Sequence, residues 1–204
     1  MKRSTIILFV IFFGLFLILQ EASSEAGTPT EWVRSILEEV MAIQTNPQLQ
    51  GHEFRKEKRT AIKNIIAQNF HFDAMAKQAL AQHWQTLSEA KRLEFKAVFQ
   101  DLFQDSYTKL ALDFLGREKI LYTREESNQN KANVRTIIVR MNEEIPVDYS
   151  LGIVGQRWLV EDVAIDGVSI IQNYQKSFSR VIRQESYQAL LKKMRMQQQA
   201  IEKN

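Results

Sequence analysis

Residues 146–165 read PVDYSLGIVGQRWLVEDVAI, and this stretch decides the fold class. Alternate positions in its first half are apolar, namely Val147, Tyr149, Leu151 and Ile153. A period of two is typical of a β-strand with one buried face. Gly155-Gln156 predicts a hairpin turn, and an apolar run from Trp158 to Ile165 follows it. The stretch therefore predicts two antiparallel strands joined by a short turn.

Two further strands are predicted before this hairpin, at 119–123 and 132–141, with a polar loop from Glu125 to Lys131 between them. Short links of this kind join antiparallel neighbours, so the sequence predicts a four-stranded antiparallel meander. Asp166-Gly167 is expected to end the sheet.

Helical periodicity occupies the chain on both sides of these strands. Thr30, Asp73 and Ser88 are expected to act as N-caps of helices before the sheet. The polar tail from Arg195 is expected to be solvated or frayed. This order of elements defines an α+β fold, and residues 25–204 are expected to form a single domain. The predicted helices are 30–44, 54–69, 74–83 and 89–115 before the sheet, then 168–184 (one helix or two short ones) and 186–202.

Apolar residues are concentrated on the helix at 89–115 and on the second strand. The helix has one wide apolar face, formed by Leu93, Phe95, Phe99, Leu102, Phe103, Leu110 and Phe114. The strand is apolar on both sides, with Val134 and Ile138 on one and Ile137 and Val139 on the other. Such a strand is either covered on both faces or borders a cavity. The residue pattern alone favours ordinary core packing.

The first 24 residues have the pattern of a secretory signal peptide. Lys2 and Arg3 are basic, residues 6–19 form an almost unbroken apolar run of 14, and small residues follow. Cleavage after Ser24 or Ala26 fits the small-residue rule. The alternative is an uncleaved membrane anchor, but the run is shorter than the ~20 residues that a spanning helix needs. An exported protein is therefore expected.

The composition argues against several classes of protein. The chain has 27 basic and 24 acidic residues, a net charge of +3; cleavage after Ser24 removes Lys2, Arg3 and Glu21 and leaves 25 against 23, or +2. This excess is too small to indicate nucleic-acid binding. The sequence contains no cysteine, which excludes a disulfide framework, a thiolate metal site and a lipid anchor on cysteine.

Patterns that indicate catalysis or metal binding are weak. His52, His71 and His83 are not spaced as metal ligands, and the seven glycines form no phosphate-binding loop. Ser169 lacks the second glycine of a hydrolase elbow and is expected to cap a helix. Paired carboxylates such as Glu38-Glu39 are expected to be solvated. No catalytic, metal or cofactor site is predicted.

Four blocks, in order along the chain, resemble the signature of the MlaC family, and together they cover about residues 30–194. They are FHFDAMAKQAL at 70–80 with His83-Trp84, Ser88 and Glu94-Phe95; FQDLF at 99–103 with Ser106-Tyr107; PVDY at 146–149; and WLVEDV at 158–163 with DGVSI at 166–170, Asn173-Tyr174 and Phe178.

The resemblance implies a periplasmic carrier that is not an enzyme and needs no cofactor. Its helices and sheet would enclose a hydrophobic pocket for phospholipid acyl chains, with the head group exposed. It would shuttle lipid between an outer-membrane lipoprotein complex and an inner-membrane ABC transporter complex. A related branch of the family is associated with hopanoids, which leaves a hopanoid open as the ligand.

One departure from the family concerns the residue after the Asn-Tyr pair. Family members commonly have an arginine there, whereas this chain has Gln175 followed by Lys176. If that arginine positions an anionic head group or a partner, Lys176 is an imperfect substitute, because lysine lacks the bidentate fork of a guanidinium.

The candidate lipid-binding residues are those on inward faces near the sheet, and core packing is the alternative role for each. Trp84 and Trp158 are expected to be structural. The candidates are Phe99, Phe103, Tyr107, Leu110, Val147, Tyr149, Leu151, Val163, Ile170, Tyr174 and Phe178.

Two functions of other classes stay open. An envelope adaptor with the same fold would dock on a complex without a ligand, and the presence of co-purifying lipid distinguishes the two. An enzyme acting on lipid or peptidoglycan would need a carboxylate or serine buried in the pocket. The protein is expected to be a monomer, since a carrier docks in turn on two complexes.

Overall fold

A computed structural model of the protein describes residues 27–141 and 143–202, so the predicted signal peptide at 1–24 lies outside the described residues. The described residues form helices, an antiparallel sheet and two further helices, which confirms the α+β fold. None of the helices in this part of the chain is both long and apolar enough to cross a membrane.

Within the described residues, five helices precede the sheet. They are α1 (Pro29–Thr45), α2 (Arg55–Asn69), α3 (Phe72–Leu80), the single turn α4 (Gln82–Gln85) and the long α5 (Glu89–Phe114), with two 3₁₀ turns, Pro47–Leu49 and His52–Phe54, between α1 and α2.

The start of α1 differs from the prediction. The N-cap is Thr28, not Thr30: its hydroxyl accepts a hydrogen bond from the Glu31 amide, and the Glu31 carboxylate accepts one from the Thr28 amide. Pro29 occupies the first helical position, where its missing N–H is not needed. These reciprocal bonds, which satisfy two amides, place the N-cap two residues earlier than predicted.

The predicted helix at 74–83 is two helices. The chain enters α3 at Phe72, because the His71 amide donates to the Val160 carbonyl and ties this entry to the sheet. Asp73 therefore lies in the first turn and is not the N-cap. Ala81, with a φ of 48°, ends α3 and separates it from α4. Ser88 does cap α5, as predicted, by accepting from the Lys91 amide.

The sheet has five strands in the order β1-β2-β3-β4-β5, all antiparallel, and not the four that were predicted. The strands are β1 (Lys119–Ser127), β2 (Lys131–Arg140), β3 (Glu143–Val154), β4 (Arg157–Ile165) and β5 (Val168–Ser169).

Two strand boundaries differ from those predicted from the sequence. Asp166-Gly167 does not end the sheet: both residues have positive φ, as a tight hairpin turn requires, and Val168-Ser169 then pairs with β4. Glu125 and Glu126 are not in a loop, because β1 continues to Ser127. β1 is an edge strand, so its charged side chains stay in solvent while the backbone remains paired with β2.

In the part of the chain that the structure describes, two helices follow the sheet, α6 (Ile170–Gln184) and α7 (Tyr187–Glu202). The Ser169 hydroxyl caps α6 by accepting from the Gln172 amide, as predicted. From Arg195 to Glu202 the tail is helical and most of its side chains are exposed, so of the two predicted alternatives it is solvated and not frayed. The Gln198 amide group donates to the buried Asp105 carboxylate of α5 at 3.1 Å, and Arg59 of α2 donates to a carbonyl near the end of α7.

The hydrophobic core lies between one face of the sheet and the helices. Val134 and Tyr149 face each other across β2 and β3, and both are buried. The neighbouring pair, Arg135 and Asp148, forms an ion pair at 3.7 Å and is partly exposed. The sheet therefore has an inner apolar face and a mostly polar outer face, and this inner face borders the candidate site.

Candidate functional site

An apolar cavity with a volume of about 290 Å³ lies between the inner face of the sheet and helices α1, α2 and α5. This volume is near the lower end of the range of ligand pockets, roughly 300–1,000 Å³. Its lining residues are Ile36, Leu37, Val40, Ile62, Ile66, Phe70, Tyr107, Leu110, Ala111, Phe114, Leu115, Ile138, Arg140, Ile145, Val147, Tyr149, Val163, Ile165 and Ile170.

Regular spacing in each element brings these side chains together. On β3 and β4 every second residue faces inward, so Val147 lies opposite Ile165 and Tyr149 lies opposite Val163. The second half of α5 contributes lining residues at steps of three and four from Tyr107. The sheet and the helix thus supply two apolar walls that face each other.

The mouth of the cavity lies where α5 ends and the β2–β3 turn begins. Phe114 lines the cavity and is nevertheless 49% exposed, and the Arg140 side chain is 33% exposed. The Arg140 guanidinium lies 5.2 Å from the centre of the Phe114 ring, within the range of a cation–π interaction. Among the lining side chains Arg140 is the charged one, so the walls are apolar and the rim carries a cation.

The end of α5 that forms this rim is held by a side chain of α1. The Gln44 amide nitrogen donates to the carbonyl oxygens of Ala111, Leu112 and Leu115, at 3.2, 2.8 and 2.8 Å. These carbonyls lie in the last turn of the helix and at its C-cap, Leu115, where backbone donors are scarce, although the Ala111 carbonyl also accepts from the Leu115 amide. Gln44 therefore fixes the position of one wall of the cavity.

Two tyrosines, Tyr107 and Tyr149, line the cavity. Burial raises the pKa of Tyr107 strongly, and nearby Tyr174 and Asp162 raise it further. Burial also raises the pKa of Tyr149, with a smaller contribution from Tyr122. Both phenols are therefore neutral at physiological pH, and the walls carry no negative charge from these side chains.

The structure separates the eleven predicted site residues into two groups. Six of them line the cavity: Tyr107, Leu110, Val147, Tyr149, Val163 and Ile170. Five do not line it: Phe99, Phe103, Leu151, Tyr174 and Phe178. Four of those five belong to an aromatic cluster around the first half of α5, in which Phe99 lies 5.6 Å from Tyr174 and 5.9 Å from Phe103. These rings pack against one another.

Sequence reasoning missed the wall that α1 and α2 provide. Ile36, Leu37 and Val40 on α1 and Ile62 and Ile66 on α2 all line the cavity. Their helical spacing was visible in the sequence, but it does not tell which sheet position a helix covers. Ile138 lines the cavity from the apolar second strand, while Ile137 and Val139 alternate with it and face away.

The other residues that the sequence singled out lie elsewhere. Gln175 is partly buried and Lys176 is exposed, and neither lines the cavity. Trp158 is buried in the core, and Trp84 is partly buried with the Arg92 guanidinium 5.6 Å from its ring. The cation at the cavity is therefore Arg140, which the sequence did not indicate, and not Lys176.

The strongly buried carboxylates among the described residues have partners. Glu161 faces His71, with 3.1 Å between the Nδ1 and Oε1 atoms, and Lys131. Asp105 pairs with Lys63 at 2.7 Å. Neither carboxylate lines the apolar cavity. No group of three His, Asp or Glu residues within the described ranges is arranged to hold a metal ion.

The fold and the site together define a class: an α+β protein whose antiparallel sheet and helices enclose an apolar cavity that opens at one charged rim. Comparison with known proteins specifies the family. The family model described as MlaC protein matches residues 34–196. The chain belongs to the MlaC family.

Individual relatives are distant in sequence. The chain is 21% identical over 141 residues to the intermembrane phospholipid transport system binding protein MlaC of Haemophilus influenzae. That alignment covers 67% of this chain and 66% of the relative, slightly less than two thirds of the relative's length. A phospholipid-binding protein from Ralstonia solanacearum, solved in complex with a phospholipid, superposes with a TM-score of 0.72 at 18% identity, over 84% of this chain and 97% of that one. At this identity the superposition shows a shared fold.

Proposed function

We propose that this protein is a periplasmic lipid carrier that binds the acyl chains of a phospholipid in the cavity between α5 and the sheet. The single observation that carries the proposal is the cavity itself, with aliphatic and aromatic walls and one charged side chain, Arg140, at its rim. The names of the two relatives, which mention phospholipid transport and binding, support the same ligand class.

The energetics of lipid transfer explain why a carrier needs such walls. Each methylene removed from water contributes about 0.8 kcal/mol, so a diacyl lipid with roughly 30 methylenes would cost on the order of 20 kcal/mol to hold in water. A protein that extracts this lipid must enclose the chains. An apolar pocket can do this without any buried polar group that would lose its hydrogen bonds.

The proposed binding residues are those of the six predicted positions that line the cavity, together with the α1, α2 and β2 side chains beside them. The five predicted residues outside the cavity support it as packed core. Because the cavity of about 290 Å³ is small for a ligand pocket, the lipid is expected to widen it and to leave its head group at the mouth.

The carrier is proposed to exchange its lipid with an inner-membrane ABC transporter complex and an outer-membrane lipoprotein complex. Docking would drive release by opening the cavity or by offering another apolar site. The mature protein is proposed to be a single monomeric domain that begins after residue 24, without a cofactor. Among the described residues, no carboxylate or serine lines the cavity, which favours a carrier over an enzyme acting on lipid.

Native mass spectrometry on the mature protein, purified from the periplasm without detergent, tests this function. We expect one phospholipid per chain, identified after organic extraction. A hopanoid at the same stoichiometry would retain the carrier and change the ligand. A mass without ligand, together with no uptake from phospholipid vesicles, would overturn the proposal and favour the adaptor without a ligand.

A further inference from the structure

The rim of the cavity contains a guanidinium that is only partly neutralised. The Arg140 Nε atom lies 3.8 Å from the Glu118 Oε1 atom, which is within ion-pair distance and too long for a hydrogen bond. The other Glu118 oxygen accepts from the Gly116 amide, so this carboxylate is held at the end of α5. No hydrogen bond of the Arg140 side chain is found within residues 27–141 and 143–202. Its terminal nitrogens keep free donors.

The position of Arg140 suits a group that follows an acyl chain out of the cavity. One side of the guanidinium lies near the Phe114 ring, which also lines the cavity. A third of the side chain is exposed, so the rim is open to solvent. The first polar group that emerges from an apolar cavity with this lipid class is the phosphodiester. Two parallel N–H donors of an arginine match the oxygens of a phosphate.

We infer that Arg140 is the head-group subsite of the cavity and binds the phosphodiester of the lipid, with Glu118 as the carboxylate that competes for the same guanidinium. The inference rests on the proposed function, because it names which part of the lipid meets which side chain. Glu143, the ladder partner of Arg140, adds a second carboxylate nearby. Without Arg140 the rim would therefore disfavour an anionic head group.

The test measures the preference of the protein for a lipid with a phosphodiester over one without it. Because both lipids compete for the same folded molecules, differences in folding between variants cancel. The mature protein is equilibrated with vesicles that contain equal amounts of phosphatidylglycerol and of diacylglycerol with the same acyl chains. Native mass spectrometry then gives the ratio of the two lipids bound. The apolar chains are identical, so the ratio reports contacts to the phosphodiester.

Arg140→Gln is expected to lower the ratio of phosphatidylglycerol to diacylglycerol about fivefold to tenfold, because charge-assisted hydrogen bonds are lost at a partly screened site. Arg140→Lys should give an intermediate ratio, since the charge stays and the fork is lost. Glu118→Gln should raise the ratio about twofold, because the competing charge is removed while an acceptor for the Gly116 amide remains.

Arg135→Gln is the matched control. This arginine is on the same strand, is paired with Asp148 on the outer face, and does not line the cavity. The same loss of one positive charge there should leave the ratio unchanged. If Arg135→Gln lowered the ratio of phosphatidylglycerol to diacylglycerol as much as Arg140→Gln does, the effect would come from net charge, and the proposed subsite would be overturned.

The remaining outcomes separate the subsite from the function. Bound lipid with an unchanged ratio in Arg140→Gln would overturn the subsite and leave the carrier function intact. No lipid of either kind on the unaltered protein would overturn the carrier function itself. Titration with inorganic phosphate alone should show no saturable binding; saturable binding that Arg140→Gln abolishes would identify a free-phosphate site in place of a head-group subsite.

Discussion

The first half of α5, taken here as the helix up to Phe103, and its second half, from Gln104 to Phe114, both have an apolar face, but their surroundings differ. In the first half Phe95, Phe99 and Phe103 are fully buried and pack ring against ring, with centroids 5.8 and 5.9 Å apart. In the second half Tyr107, Leu110, Ala111 and Phe114 line a cavity. The same helix thus contributes to a packed core at one end and to one wall of the apolar cavity at the other.

The difference lies in what faces the helix. Aromatic rings of α6 meet the first half, where Phe178 lies 5.8 Å from Phe95 and edge-on to it. The second half is faced largely by branched aliphatic residues of the sheet such as Val147 and Val163. These side chains are too short to meet across the gap, so each wall lacks the contacts that a filled interior would provide. Apolar content alone therefore does not distinguish core from cavity.

Replacing a ring in the packed half should have the largest effect on stability. Phe99→Ala is expected to lower the free energy of unfolding by about 3–5 kcal/mol, because Phe99 is completely buried among rings that cannot collapse into the space. Leu110→Ala, on the cavity wall, should cost only about 1–2 kcal/mol, below the usual range for a packed leucine. Urea denaturation followed by circular dichroism measures both.

The contrast between the two halves would be wrong if the two substitutions destabilised the protein equally. The amount of lipid bound per folded molecule adds a second criterion. It should stay near that of the unaltered protein in Phe99→Ala, since Phe99 does not line the cavity.

Filling the cavity should change the free energy of unfolding less than Phe99→Ala does, but it should strongly reduce lipid binding. In Ala111→Phe the added ring enters the cavity of about 290 Å³, which exceeds the roughly 150 Å³ that an engineered cavity needs to hold benzene. We expect lipid binding to fall at least about tenfold, with a change in unfolding free energy within about 1.5 kcal/mol. Lipid transfer from fluorescent vesicles measures the first, and urea denaturation the second.

Leu93→Phe is the control on the same helix, because Leu93 is 61% exposed and remote from the lining residues. It should leave lipid binding unchanged. Full lipid uptake by Ala111→Phe would mean that the acyl chains bind somewhere other than this cavity.

The smallest expected effect concerns pH. Burial raises the pKa of Tyr149 above its ordinary value near 10, so the fold favours the neutral phenol. The stabilisation is complete below about pH 10 and is lost as the pH rises towards the folded pKa. Tyr149→Phe should therefore flatten the decline of unfolding free energy above pH 10.

Tyr122→Phe provides the comparison, since the Arg34 guanidinium, 3.9 Å from the ring centre, opposes the effect of burial on the pKa of Tyr122. This variant should change the alkaline decline less than Tyr149→Phe does. A steeper decline in Tyr149→Phe than in the unaltered protein would contradict the assigned direction. Urea denaturation at a series of pH values between 9 and 12 measures the free energy of unfolding of the unaltered protein and of both variants.

Much of the fold could be read from short-range patterns. The alternation at 147–153 located β3, and Ser88 and Ser169 were recognised as caps, because these signals depend on neighbours a few residues away. The errors arose where long-range contacts decide. Ser127 joins a strand through its pairing with Ala132, and Gln198 is ordered by Asp105 of another helix.

The sequence by itself determined the α+β class, the long apolar helix and the family resemblance, since periodicity and motifs are properties of the chain alone. Only the tertiary structure decided which apolar residues enclose a cavity and which pack against each other. It also placed Arg140 at the rim, near Phe114 and Glu118. A cavity is a space left between elements, and its existence depends on the lengths of facing side chains that are far apart in the sequence.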